Sequence, residues 1–259
     1  MKYRKHLFIS DVHLGAFPTK INAQIEEDLI CLINHCIDER YRIYVLGDLF
    51  DYWMEYPEKG FVPALGRKVL DAFEKYNHTV EAAVFITGNH DNWTFGHFAK
   101  RGFDIEHNFR LTQIQQKRLL LMHGDGVAAS KIDFPRAAFH RLLRSNSFVN
   151  AYQTVLPPRQ GLAAMKMFSS FSKKNNYLNP EPLNRQAKKI FNKHNLDFIL
   201  SGHDHIPREE TFRNGTYINL GTFFKHRSLA VFEDNKLSLS IWDADTKSLL
   251  PFSSMKKQA

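Results

Sequence analysis

The spacing of apolar and polar positions changes several times along the chain, and each change marks an element. Leu7-Phe8-Ile9 is a short unbroken apolar run, so His6–Ser10 is expected as a buried first strand. Ile21, Ile25, Leu29, Leu32, Ile33 and Cys36 then recur three and four apart, which predicts a long amphipathic helix over Ile21–Glu39. A second strand is expected over Tyr41–Leu46, a helix over Phe61–Tyr76 and a third strand over Glu81–Thr87. Gly88-Asn89-His90-Asp91 closes that strand, and a helix is expected to open at Asn92-Trp93. Leu119–Met122 reads as a further strand.

From 126 to 185 the strand pattern stops. Helical stretches carry Phe134, Phe139, Leu142, Leu143, Phe148 and Tyr152, then Leu162, Met165, Met167, Phe168 and Phe171. Lys131, Arg136, Arg141, Arg144, Arg159, Lys166, Lys173 and Lys174 are interleaved, opposed only by Asp133 and Glu181. This is expected as a helical lid inserted into one domain spanning 1–259. The strand pattern returns at Leu196–Ser201. Alternating segments follow at Glu210–Arg213, Thr216–Leu220, Ser228–Phe232 and Lys236–Trp242, with turn signals at Asn214-Gly215 and Asp234-Asn235. They predict an antiparallel meander that completes the sheet, and a frayed polar tail from Pro251. Strands alternating with helices give a layered α/β fold.

Composition changes this picture little, at 43% hydrophobic and 24% charged. Charge changes it more. Lys and Arg number 35 against 27 Asp and Glu, a net +8, which favours anionic partners such as phosphorylated small molecules, nucleic acid or an acidic lipid surface. The two cysteines, Cys31 and Cys36, suit neither a zinc knuckle nor a disulfide, and are expected as thiols in a reducing compartment. The apolar run behind the basic N-terminus is too short for a signal peptide or a membrane span. The chain is therefore expected in the cytoplasm or on the cytosolic face of the inner membrane.

The candidate chemistry lies where strands end. Asp11 and His13, Asp48, Asn89, His123, and His203 and His205 each follow a predicted strand, and each offers a hard oxygen or an imidazole. A donor at one strand end is commonly structural; five such clusters point to a metal site. Mixed carboxylate, carboxamide and imidazole donors suit Mn²⁺, Fe²⁺ or Zn²⁺ better than Ca²⁺. Seven donors exceed what one ion needs. With one carboxylate bridging they suit two ions roughly 3.5–4 Å apart.

Asp-x-His, Gly-Asp, Gly-Asn-His-Asp, His-Gly-Asp and Gly-His-x-His, in this order, resemble the calcineurin-like metallophosphoesterase superfamily over His6 to Phe232. The resemblance implies a four-layer α/β/β/α sandwich and two divalent metal ions, with Mn²⁺ the first expectation. It implies Asp11, His13 and His205 on one ion, Asn89, His123 and His203 on the other, and Asp48 between them. It also implies a catalytic His90, paired with Asp91, that contacts the substrate phosphate and protonates the leaving group.

Gly47-Asp48-Leu49-Phe50-Asp51-Tyr52-Trp53, the insert after His123-Gly124-Asp125, and Gly202-His203-Asp204-His205-Ile206-Pro207 further resemble the UDP-2,3-diacylglucosamine hydrolases of lipid A assembly, in the branch found in Bacteroidetes. The proteobacterial pattern of that group has Arg where this chain has His90. That narrower resemblance implies a nucleotide-linked lipid substrate, cleaved to UMP and a diacylated sugar phosphate. An apolar slot on the insert would serve the acyl chains, and its basic residues, with Arg159 and Lys173 as candidate substrate contacts, would meet pyrophosphate or an anionic membrane. A nuclease or nucleotide phosphodiesterase on the same fold is the alternative. The apolar insert and the lack of an aromatic-plus-glycine binding box argue against nucleic acid. The complete donor set argues against a third reading, a non-catalytic scaffold.

Overall fold

The computed structural model describes residues 5–126, 132, 134, 136–173 and 179–253. Lys131, Asp133 and Lys174, and the side chains of Phe139, Phe168, Phe171 and Lys173, lie outside the described residues. In chain order the elements begin with β1 (His6–Ile9), α1 (Thr19–Asp38), β2 (Arg42–Leu46), α2 (Arg67–Thr79) and β3 (Val84–Ile86). Next come α3 (His97–Lys100), β4 (Asp104–Glu106), β5 (Phe109–Ile114) and β6 (Lys117–Met122). The insert forms α4 (Ala138–Leu143), α5 (Asn146–Val155) and α6 (Pro158–Lys173), followed by α7 (Glu181–Lys193). The chain then forms β7 (Phe198–Ser201), β8 (Arg208–Phe212), β9 (Gly215–Asn219), α8 (Phe223–His226), β10 (Ser228–Glu233), β11 (Lys236–Asp243) and β12 (Ser248–Pro251).

Two sheets result. The larger has the order β12-β11-β10-β1-β2-β3-β4, the smaller β5-β6-β7-β9-β8. Their facing sides share one apolar layer in which Phe8, Leu46, Val84 and Ile86 meet Leu119, Leu121, Leu200 and Ile218. Alternate residues of the same strands point the other way, because successive side chains in a strand face opposite sides. On the larger sheet Leu7, Ile9, Ile43, Val45 and Phe85 meet Ile25, Leu29, Leu32 and Ile33 of α1 and Val69, Leu70 and Phe73 of α2. On the smaller sheet Leu120, Met122, Ile199 and Tyr217 meet Leu183, Ala187, Ile190 and Phe191 of α7. The expected four-layer α/β/β/α sandwich is thus built, with both sheets covered on both sides.

The differences from the sequence reading have local causes. The buried stripe of α1 starts at Ile25, and Ile21 is half exposed. The expected helix over Phe61–Tyr76 starts only at Arg67. Phe61 pairs with Tyr56 in an isolated bridge, and Pro63 holds Val62 away from helical geometry. No helix opens at Asn92-Trp93, because Trp93 is drawn into a bridge with Met54 and its carbonyl accepts the Glu55 N–H at 3.0 Å. The Glu55 carboxylate accepts the Phe95 N–H at 2.7 Å, so the turn stays open until α3. The expected meander is two hairpins in two different sheets. β8 and β9 join the smaller sheet with β9 parallel to β7, whereas β10 and β11 extend the larger one beside β1. Strands β4, β5 and β12 escaped the pattern.

The helices α4–α6 pack away from both sheets. Val149, Met165, Leu162 and Tyr152 gather on Met54, Tyr56 and Trp93, the segments that follow the second and third strands. The Trp93 indole N–H donates to the Leu143 carbonyl at 2.8 Å, and the Gln153 amide to the Glu55 carbonyl at 2.7 Å. The insert therefore covers the ends of the strands that carry the candidate site.

Candidate metal centre

Five strands from both sheets deliver the donors. Asp11 and His13 follow β1, Asp48 follows β2, Asn89 and His90 follow β3, His123 follows β6, and His203 and His205 follow β7. Asp11, His13, Asp48, His203 and His205 all take positive φ, between 50° and 77°. A non-glycine residue pays an energetic cost there, and several together mark a place where the fold dictates direction. The glycines of the motifs allow the strand ends to meet. A Cβ on Gly88 would sit 2.0 Å from Asp48 Oδ1, and one on Gly202 2.0 Å from Asp11 Oδ2.

Each carboxylate has one oxygen bound by the protein and one turned inward. Asp11 Oδ2 accepts the Ser10 hydroxyl at 2.7 Å and the His203 N–H at 3.0 Å, whereas Asp11 Oδ1 is buried with no hydrogen-bond donor. Asp48 Oδ1 accepts the His90 N–H at 3.0 Å. Its Oδ2 faces His13 Nε2 at 3.5 Å, His123 Nε2 at 3.4 Å and His90 Nε2 at 3.9 Å.

Two donor groups flank that oxygen. On one side His205 Nε2 lies 3.1 Å from Asp11 Oδ1 and 3.2 Å from His13 Nε2. On the other, Asn89 Oδ1 lies 3.0 Å from both His123 Nε2 and His203 Nδ1. Such spacings bring donor atoms close enough to share an ion, and an orphaned buried oxygen aimed into the group is what a cation would satisfy. The donor types and their spacing fit divalent metal ions. The His123 Nδ1–H donates to the Leu46 carbonyl at 2.9 Å, which leaves Nε2 as the free donor.

The electrostatics record the same crowding. Burial alone would lower His13, but the nearby carboxylates of Asp11, Asp51 and Asp48 raise it to about 9. Burial is likewise outweighed at His123, where Asp48 raises the imidazole to about 10. Burial would raise Asp11 and Asp48, yet the surrounding imidazolium charges hold both well below the usual carboxylate range. His203 falls to about 4 through burial and the charge of His123.

A pH dependence follows for the metal-free protein. The folded chain holds protons on His13 and His123 that the unfolded chain releases near 6.5. That stabilisation is complete below 6.5 and lost as pH rises through about 9 and 10. The Tm of metal-free protein is expected to fall between pH 7 and pH 10. Metal replaces those protons, so Mn²⁺-loaded protein should show a much smaller fall. Parallel thermal scans check this.

His90 and Asp91 separate in role. Both Asp91 oxygens accept backbone N–H groups, Oδ2 from Leu49 and Oδ1 from Gly88, each at 2.7 Å. Burial, then the charge of Asp48, pushes this carboxyl up to about 6. The carboxylate facing the His90 imidazole is that of Asp51, 3.7 Å from Nδ1, and Nδ1 also bonds the Asp51 carbonyl. Asp51 lies 3.6 Å from His13 Nδ1 as well, so it orients two imidazoles. It stands in the Gly47–Trp53 stretch, but nothing in sequence order singles it out from Asp91.

Arg159 is exposed in the first turn of α6, and the Lys173 side chain lies outside the described residues. The basic residue that reaches the strand ends is Arg144, just past α4. It donates to the Gly88 carbonyl at 2.7 Å, Thr87 Oγ1 at 3.0 Å, the His107 carbonyl at 3.0 Å and Asp125 Oδ2 at 3.0 Å. Arg136 joins it with Nε 3.2 Å from Asp125 Oδ2. Burial would raise Asp125, but Arg144 and His123 keep it below its ordinary value. Sequence reasoning saw eight basic residues in the insert and had no means of choosing this pair. In the last motif, Asp204 bonds Arg208 and the Ile206 N–H and braces the turn.

Among known proteins, the family model for calcineurin-like phosphoesterases matches residues 5–207. A UDP-2,3-diacylglucosamine hydrolase from Porphyromonas gingivalis is 29% identical over 91% of this chain and 96% of its own length. One from Proteus mirabilis is 26% identical over 79% and 83%. Among solved structures, Yfce, a phosphoesterase from E. coli, aligns with 95% of this chain and 96% of its own, at 15% identity and a TM-score of 0.45.

Proposed function

The chain belongs to the calcineurin-like phosphoesterase family and is a metal-dependent phosphoesterase, and on that premise we propose that it cleaves the pyrophosphate of UDP-2,3-diacylglucosamine to UMP and 2,3-diacylglucosamine 1-phosphate. The observation that carries this reading is the apolar wall beside the metal centre. Tyr52, Met54, Trp93, Leu143 and Met165 line a narrow cleft shared with Asn89 and His90, about 10 Å³ as it stands and so room for little more than a water. A small phosphoester needs no such wall. An acyl chain does, and it would enter as the flexible Met54 and Met165 side chains move aside to widen the cleft. The relatives of matching name support the same reading.

Two divalent ions, when bound, supply Lewis-acid polarisation of the phosphoryl group and a nucleophile at neutral pH. Asp11, His13 and His205 would hold one, Asn89, His123 and His203 the other, and Asp48 would touch both. Mn²⁺ is the first choice for this donor set, which also accepts Fe²⁺ and Zn²⁺. The protein provides the rest. His90, held through Nδ1 by Asp51, directs Nε2 toward the Asp48 side of the centre, where it can hydrogen-bond a phosphoryl oxygen or give a proton to the leaving group. Asp91 acts on position, tying the start of the Gly88–Asp91 turn to Leu49 so that Asn89 and His90 keep their places. Arg144 fastens the insert to that turn through the Gly88 carbonyl.

The insert acts as a lid in this reading. Leu142, Val155 and Met167 are exposed on its helices, with exposed Arg141 and Arg159 among them. Apolar and basic groups side by side suit contact with an anionic membrane surface, where the lipid substrate resides. No helix among the described residues is long and apolar enough to cross a membrane. A peripheral place on the cytosolic face follows from the reading.

The test is hydrolysis of UDP-2,3-diacylglucosamine with Mn²⁺ and detergent, run beside a generic aryl phosphodiester. Release of UMP at a kcat/KM at least about a hundredfold above that of the aryl ester is the expected result, since remote binding energy raises specificity for the whole substrate. Equal or better turnover of the aryl ester would overturn the lipid assignment.

A further inference from the structure

A second cavity opens beside the metal centre, on the other side of Asn92 and Trp93 from the apolar cleft. Its volume is about 380 Å³, within the range of small-molecule sites. Arg136 and Arg144 form its cationic end, and Arg144 also bonds the Gly88 carbonyl, next to the metal-site Asn89. Phe95 also lines it and is 44% exposed, and an accessible π-face in a cavity wall is a platform for a planar ring.

Much of the lining is polar. Asn92, Thr94, Asn108 and Asn146 stand with Arg136 and Arg144 around this one space, so carboxamides, a hydroxyl and two guanidinium groups line it together. Hydrogen-bonding side chains of both kinds, donors and acceptors, suit a polar ligand. Arginines match phosphate oxygens. A carboxamide and a hydroxyl match the alternating donors and acceptors of a pyrimidine and its ribose.

We propose that this cavity binds the nucleoside monophosphate half of the substrate, with the base over Phe95 and the arginines beside the phosphate nearest the ribose. The assignment rests on the reading of the substrate as a nucleotide-linked lipid. It divides the substrate between two compartments, the nucleotide here and the acyl chains in the apolar cleft, with the pyrophosphate at the metals between them. It also gives Arg136 and Arg144 a reason to be buried on a single carboxylate, Asp125, that neutralises only one of two positive charges.

Calorimetric titration of the Mn²⁺-loaded protein with UMP, ribose 5-phosphate and inorganic phosphate tests this without any lipid. UMP is expected to bind roughly tenfold or more tightly than ribose 5-phosphate, the base contributing by stacking. Phe95→Ala should erase most of that difference. Asn146→Ala, at an exposed lining position, should reduce it by a smaller factor. Equal affinities for UMP and ribose 5-phosphate in the unaltered protein would overturn the proposal, as would an unchanged ratio in Phe95→Ala. The two readings fail separately. Preferential UMP binding without lipid hydrolysis would sink only the lipid substrate, and lipid hydrolysis without a UMP preference would sink only this subsite.

Discussion

Asp48→Ala is expected to abolish the dinuclear centre. Asp48 Oδ2 faces His13 and His123, the imidazoles that belong to the two separate donor groups, at 3.5 and 3.4 Å. Its removal takes away the oxygen that lies between the two donor groups, and leaves Asp11 as the carboxylate among the seven donors. Bound Mn²⁺ should fall from two per chain to one or none on metal analysis. Turnover should fall by about 10⁴-fold or more, because each ion offsets several kcal/mol of transition-state charge. The fold should survive, since Asp48 is covered by the site's own side chains and contributes no apolar surface to either sheet interface. Two ions still bound at micromolar metal would remove Asp48 as the bridge.

His90→Ala is expected to separate chemistry from metal binding. Its imidazole lies 3.9 Å from Asp48 Oδ2, farther than His13 or His123, and its Nδ1 side is held at Asp51. The contact that supports the centre is made by the backbone: the His90 N–H donates to Asp48 Oδ1, and alanine keeps it. Metal content should therefore stay at two per chain while kcat falls by about 10²–10⁴-fold, the range for a positioned acid or a lost transition-state hydrogen bond. His90 Nε2 is also near enough to His13 and Asp48 to join a donor group. Loss of one ion along with activity would mean that His90 is a ligand. Asp51→Asn should follow His90→Ala in direction with a smaller loss, because it orients the ring and leaves the ring in place.

How far the sequence reached can be judged residue by residue. The apolar runs at Leu7–Ile9 and Leu119–Met122 and the period of α1 were sufficient to find a layered α/β fold, because burial on one or both faces writes a period that survives without context. The motif glycines could be read as turns. That Gly88 and Gly202 also make room for Asp48 and Asp11 required the strands to be brought together. Short strands such as β4, with three half-buried residues, carry no period to read. The assignment of β8–β9 and β10–β11 to different sheets leaves no trace in hairpin signals, since a hairpin reads alike wherever it docks.

The site divides the same way. The sequence by itself determined the donor types, their place at strand ends and their number, because metal ligation restricts residue identity and strands are read from local pattern. Only the tertiary structure decided which oxygen of each carboxylate is free and that Asp51, not Asp91, faces His90. It also decided that Arg144 and Arg136, rather than Arg159, stand beside the centre. Those outcomes depend on distances across the chain: His13 meets His205 from 192 residues away. A local pattern can specify what a residue offers. What it faces is set by the packing of two sheets whose strands lie far apart in sequence.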